Sequence, residues 1–285
     1  MESGTKMSNI DKKTVDSFGD EWSRFDQVAM SDEEHAFIYE TYFGIFPWDT
    51  LPEQAEGFDM GCGSGRWAAL VAPKVQKLNC IDPSQAALEV TRRRLAQYSN
   101  AHFVNAGVSD APLPADSQDF GYSLGVLHHI PDTPAAVQDC VRMLKPGAPF
   151  LIYLYYRFDN RPFWYAWVWR VSDILRRGIC KLPAALKSAV TDLIAGIVYF
   201  PLARFAKLGE GLGMTVDGWL LSSYRDTSFY TMRTDSRDRF GTPLEQRFTK
   251  AEIITMLDAA GLENIVFSDN FPFWVAVGRK RPEIS

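Results

Sequence analysis

The junction FDMGCGSGRW, residues 58–67, constrains this chain more than any other stretch: an apolar run breaks into three glycines separated by single small residues. A strand that ends this way can turn into a helix with no Cβ in the path, and its backbone N–H groups can approach something anionic. Between about residues 55 and 156 the same grammar repeats. KLNCID (77–82), HFVNA (102–106), DFGYSLGV (119–126) and PFLIYLYY (149–156) read as strands. Residues 64–76, the QAALEVTRRRLAQY segment after Pro83, and AAVQDCVRML before Lys145-Pro146-Gly147 read as helices. Such alternation predicts a parallel sheet with crossover helices.

Regularity lapses after Tyr156. Residues 161–177 and 183–208 read as helices dense in tryptophan, tyrosine and phenylalanine. The pattern resumes where Thr249 caps KAEIITMLDAAGL, and ENIVFS and FWVAVGRK close the chain as a hairpin-like pair. The expected organisation is a helical segment over 1–54, one α/β domain from 55–156 and 246–285, and an aromatic-rich helical cap over 157–245.

The glycines admit several ligands. A phosphate-binding P-loop needs Lys-Ser or Lys-Thr after its last glycine, and Arg66-Trp67 stand there. A dinucleotide loop needs GxGxxG, and its third glycine would be Arg66. Asp82 ends the second strand where an acid can accept hydrogen bonds from a ribose diol, which suits a dinucleotide or an S-adenosyl ligand. The plainer alternative for Asp82 is an acid favoured by a helix N-terminus. The net charge of -5 and a pI near 5.5 argue against nucleic acid as a partner. Cys62, Cys80, Cys140 and Cys180 show no zinc spacing, so no metal is expected, and they fit a reducing cytoplasm. The polar N-terminus carries no secretory pattern.

Taken together, Asp59 to Gly65, Cys80-Ile81-Asp82, the LGVLHHIPD stretch at 124–132, KPGAPFLI and FTKAEIITMLDAAGL resemble the class I S-adenosylmethionine-dependent methyltransferases, most closely their small-molecule branch. The resemblance covers roughly 55–156 and 246–280. It implies a Rossmann-like, doubly wound, mostly parallel seven-stranded sheet with a terminal antiparallel strand, and S-adenosylmethionine as cofactor. Under it, Gly61, Cys62, Gly63 and Gly65 admit the methionine and ribose parts, and Asp59 lies beneath the methionine ammonium. Asp82 and Pro83 flank the ribose, Gly107 and Val108 face the adenine, and Leu124 and Gly125 line the methionine tail. Trp22 belongs to a lid segment.

His128 and His129 end the fourth strand, at the rim where open α/β sheets bind ligands. One of them, His129 by preference, is expected to take a proton from a hydroxyl acceptor; the alternative is a histidine that only packs. Trp164 is the candidate aromatic contact for the acceptor, and Arg237, Arg239 and Arg247 are candidates for gripping an anionic group. The LIAGIVYF run (193–200), bracketed by Asp192 and Arg204, is expected to be too short to span a membrane, leaving peripheral contact open. The leading reading is methyl transfer to an oxygen nucleophile of a small molecule. A nicotinamide-dependent oxidoreductase and a non-catalytic cofactor-binding scaffold are the competing ones.

Overall fold

The computed structural model describes residues 9–24 and 31–282. Strands β1 (Glu56–Met60), β2 (Lys77–Asp82), β3 (Ala101–Asn105), β4 (Phe120–Leu124), β5 (Pro149–Tyr153), β6 (Leu262–Phe267) and β7 (Val275–Lys280) form one sheet. Their order is β3-β2-β1-β4-β5-β7-β6. β1 to β5 run parallel, and β7 inserts antiparallel between β5 and β6. The sequence explains the order of burial. Every residue of β4 is buried and β5 is nearly so, as central strands covered on both faces require, whereas edge strand β3 leaves His102 and Asn105 exposed.

The helices are α1 (Lys12–Arg24), α2 (Asp32–Phe43), α3 (Ala68–Val71), α4 (Gln85–Arg94), α5 (Thr133–Met143), α6 (Phe163–Ile179), α7 (Ala184–Ile194), α8 (Phe200–Gly211), α9 (Phe229–Gly241) and α10 (Lys250–Ala259). Their starts follow from local chemistry. The side chains of Ser84 and Asp132 accept from the free N–H groups of Ala87 and Ala135, and Thr249 and Glu252 form a reciprocal capping box at α10. Two apolar layers sandwich the sheet, one around Phe58, Ile81, Phe150 and Ile152, the other around Leu78, Phe120, Tyr122 and Leu151.

Two expectations need correction, and one charged stretch acquires a defined structure. The helix over 64–76 contracts to α3, because residues 61–67 stay in a loop and Pro73, which has no N–H to donate, falls in a 3-10 turn over Ala72–Lys74. The apolar run 149–156 pairs as a strand only to Tyr153, and Tyr156 then bridges to Phe248. The charged stretch before the last helix is largely helical and partly buried. It forms α9, whose Thr234, Ser236 and Arg237 are buried where it packs against α1, α6 and α7.

The cap is thin in core. Tyr199, Ala203, Met232 and Phe240 make its only cluster among the described residues. α7 and α8 join through a π-helical turn, Ala195–Tyr199, into one run, Ala184–Gly211. At 28 residues that run exceeds the short segment expected from sequence, and by length and composition it could cross a membrane. One face of it, Lys187, Ser188 and Thr191, is buried against α9.

Candidate active site

At the carboxyl ends of the parallel strands lies a cavity of about 750 Å³. Chain order reverses between β1 and β4, the switch point at which such sheets bind ligands. Loops after β1, β2, β3 and β4 form the floor, and α1, α6 and α9 form the walls and roof. Asn9 ties the first described residues across this rim: its side chain donates to the Asp132 carbonyl at 2.8 Å and accepts from the Asp132 N–H at 2.9 Å.

The glycine loop does something other than its sequence suggests. Gly61 and Cys62 both donate to the Ile81 carbonyl (2.8 and 3.1 Å), and Gly65 donates to Cys62 (2.8 Å). Gly63 donates to Asp82 Oδ2 at 3.0 Å, while Asp82 Oδ1 accepts from Ser84 N–H at 2.8 Å. The expected free amide cradle is therefore corrected: these donors are already satisfied within the chain. What the loop provides is access. Gly61 and Gly63 have positive φ (79° and 56°); a Cβ on Gly61 would lie 2.4 Å from Val126, and one on Gly63 would lie 3.0 Å from Trp22.

A diphosphate entering here would meet Asp82, Glu21 and Asp235 rather than unpaired amides. A cationic or neutral ligand fits better. Buried Asp59 strengthens that reading, since its Oδ2 has no hydrogen-bond partner. Burial pushes Asp59 up to about 8, against the lowering effect of the Tyr122 hydroxyl. Burial likewise raises Asp82 to about 6, with the Ser84 and Gly63 N–H groups pulling it back. An ammonium above Asp59 would relieve that desolvation.

Most sequence-nominated cofactor residues meet here: Gly61, Cys62, Gly63, Asp82, Pro83, Gly107, Val108, Leu124, Gly125 and Trp22 all line the cavity. Asp59 lies beneath the loop, outside the lining. Gly65 is also outside it; its absent Cβ leaves room for Thr91, 2.8 Å away, so it serves the packing of the loop on α4.

The acceptor side differs from expectation in detail. His129 Nδ1 stands 2.6 Å from the Leu244 carbonyl, which can only accept, so the proton sits on Nδ1 and Nε2 keeps its lone pair. Nε2 is buried without a hydrogen-bond partner, 3.9 Å from Asp238 Oδ1. Burial holds His129 below the usual histidine range despite Asp238. Asp238 Oδ2 in turn accepts from the Tyr155 hydroxyl. His128 sits outside the cavity lining, fully buried and stacked on Tyr155 with ring centroids 3.9 Å apart. Burial drives it well below the usual range, which leaves it a packing role.

Trp164 points away from the cavity; Tyr165, Trp169 and Trp219 line it instead. Arg237 is buried outside the lining and paired with Asp20. Arg239 and Arg247 do line it, but both bind Glu245, at 2.7 and 2.8 Å. Burial alone would raise Glu245, yet the two arginines outweigh it and hold it low. Asp235 and Asp238, one turn apart on α9, face the cavity, and burial raises Asp235 to about 6. Sequence reading gave neither a role, although their i, i+3 spacing in a run later folded as a helix was the available signal.

The site thus combines a Rossmann-like sheet, a glycine loop after β1, the Asp82 carboxylate at the end of β2 and the buried Asp59 beneath the loop. A family described as a methyltransferase domain matches residues 58–152. The chain is 30% identical over 175 residues to a ubiquinone biosynthesis O-methyltransferase of Hahella chejuensis, covering 53% of this chain and 70% of that protein. It is 30% identical over 108 residues to a probable S-adenosylmethionine-dependent methyltransferase of Mycolicibacterium smegmatis, covering 37% of this chain. That match spans only 41% of the relative's length, well under two thirds. The fold is shared with a Thermotoga maritima S-adenosylmethionine-dependent methyltransferase, at TM-score 0.50 and 15% identity, over 94% of this chain and 100% of that one. The chain belongs to the class I S-adenosylmethionine-dependent methyltransferases. Membership removes the oxidoreductase alternative.

Proposed function

We propose that the protein methylates an oxygen of a small-molecule acceptor that carries a hydroxyl group, and that it works in the cytoplasm. The cofactor supplies an electrophilic methyl on a sulfonium. The chain's own residues do the rest. Gly61 and Gly63 let the ligand close on the loop, Asp82 and Pro83 border its ribose side, and Asp59 lies beneath to offset an ammonium.

The single observation that carries the oxygen reading is His129. Its Nδ1 is committed to Leu244 and its Nε2 is unpartnered, buried and neutral near pH 7. A hydroxyl presented to Nε2 would lose its proton there as the new C–O bond forms and the methyl–sulfur bond breaks, leaving a neutral thioether, and Asp238 would steady the imidazolium. Methyl transfer needs in-line alignment at near-attack distance, which a cavity walled by α1, α6 and α9 would supply by holding both partners. The acceptor wall favours hydroxyl or amine groups over anions. Asp235, Asp238 and Tyr155 face the cavity; of its five arginines, Arg239 and Arg247 are shared by Glu245 and Arg225 pairs with Glu210, which leaves Arg66 and Arg161.

The test is a methyl-donor turnover assay across hydroxylated metabolites, with amines and carboxylates as controls. Turnover on hydroxyl acceptors that disappears in His129→Ala supports the reading. Methylation confined to amines, or full activity in His129→Ala, defeats it.

A further inference from the structure

The cap is built inside out. On α6 the residues turned inward include Ser172, Asp173 and Arg176, with Asp173 and Arg176 buried and paired at 2.8 Å. The residues turned outward are Phe163, Trp167, Val171, Ile174 and Leu175, spaced by three, four and one along a single stripe, with Phe163 82% and Ile174 70% exposed. A surface helix of a soluble protein places these faces the other way round.

The run Ala184–Gly211 also buries Ala195, Tyr199, Ala203 and Ala206, but repeats the inversion in part. Lys187, Ser188 and Thr191 are buried, whereas Leu186, Leu193, Ile197, Phe205 and Leu208 are exposed. Sixteen of the twenty-one large apolar side chains exposed among the described residues fall within residues 163–214. That concentration in one segment of the chain, rather than scatter over the surface, is of a kind that marks an interaction face.

The charges around the patch say what covers it. The chain as a whole carries -5. Yet on α6 and the turn after it the exposed charged side chains are Arg170, Arg177 and Lys181, all positive. Asp173 pairs with Arg176 and Arg177, and Asp192 pairs with Arg24 and Arg233, so both acids of the stretch 163–208 are engaged and neither pairs with Arg170 or Lys181. Lys207, at the far end, pairs with Asp226. Exposed aromatics and aliphatics beside unopposed cations suit a surface of anionic head groups over acyl chains.

We propose that the outward face of α6 to α8 is a docking surface for an anionic lipid bilayer. The helices lie in the interface and do not cross it. Ser236 Oγ donates to the Thr191 carbonyl at 2.8 Å and Lys187 Nζ to the Gly241 carbonyl at 3.3 Å, so the polar side of the long run stays bound to α9. A spanning helix would have to strip these bonds into hydrocarbon.

Val168 and Val198 belong both to the outer patch and to the cavity lining. On the methyltransferase reading, docking therefore sets the cavity beside the bilayer and fixes the acceptor as a membrane-borne molecule with an apolar tail and a hydroxylated head.

The experiment is sedimentation with vesicles of phosphatidylcholine alone and of phosphatidylcholine and phosphatidylglycerol in equal parts. It runs alongside calorimetry with S-adenosylhomocysteine and sedimentation velocity without lipid. Wild type should pellet with the anionic vesicles and far less with the neutral ones. The variant Trp167→Ser/Ile174→Ser/Phe205→Ser should lose at least about tenfold in partitioning, and Arg170→Glu/Lys181→Glu should lose the preference for anionic lipid. Both should bind S-adenosylhomocysteine as wild type does.

A folded, S-adenosylhomocysteine-binding protein that ignores both vesicles overturns docking and leaves methyl transfer standing. So does a stable dimer in which Trp167 is buried, since the patch would then belong to a second copy. Vesicle binding unchanged in the triple variant also overturns it. Vesicle binding without any affinity for S-adenosylhomocysteine leaves docking standing and removes the methyltransferase reading.

Discussion

The floor and the roof of the cavity are built on opposite plans. The floor is backbone at the ends of parallel strands, with the glycine-loop amides consumed internally and mostly apolar side chains packed above and below the sheet. The roof is side chain: Asp235, Asp238, Arg239 and Trp169 reach inward from helices whose apolar stripes face outward. A backbone floor tolerates little substitution and fits one ligand shape. A side-chain roof can be rewritten residue by residue, which is how one sheet serves many acceptors.

The sharpest way to break this contrast is Gly61→Ala. A Cβ there would sit 2.4 Å from Val126 on a residue with φ of 79°, so the variant should lose about 2–4 kcal/mol of stability in urea denaturation and most affinity for S-adenosylhomocysteine. Retained stability and binding would mean that the loop is not rigid.

The roof should behave differently. Asp238→Asn and His129→Ala are each expected to lower turnover by about 10²-fold to 10³-fold with cofactor affinity within about twofold. A parallel loss of both would collapse the division of labour. The pH profile sharpens the point. His129 is held below its ordinary value by burial, so it stays a base to lower pH, and the acid limb of kcat/KM should fall below pH 6.5. By the same shift the folded state binds fewer protons than the unfolded chain. The stability His129 lends is present above the unfolded pKa and is lost as pH falls toward the folded one.

A smaller effect belongs to the floor. Asp59, raised to about 8, is mostly protonated at pH 7 in the free protein. Placing an ammonium over it should release up to about one proton, read as a dependence of the calorimetric enthalpy on buffer ionisation heat. Asp59→Asn should abolish the release; an unchanged release would assign the proton elsewhere. The apo protein should also lose stability as pH rises through the interval in which Asp59 and Asp82 ionise, because folding buries both charges.

The smallest expected change lies outside both surfaces. Thr249→Ala removes one half of the α10 capping box and should cost about 1 kcal/mol with binding and turnover unaffected.

Much of the floor could be read from residues alone. Asp82, Gly107 and Leu124 stand next to strand ends, and a strand end in a parallel sheet has only one rim to face. Less of the roof could be read. Trp164 and Trp169 have the same chemistry five residues apart, and only the docking of α6 on α9 turns one out and the other in. Arg247 reads as a free cation until Glu245 folds against it.

By itself, then, the chain's order of residues determined the strands, the helix caps and the glycine turn, because hydrogen-bond geometry and steric limits act between near neighbours. Tertiary structure alone decided which amides were already spent, which histidine kept a ring nitrogen without a hydrogen-bond partner, and that much of the cap's apolar surface faces outside. Those properties depend on what is packed against a residue, and burial is a relation between distant segments that no local pattern contains.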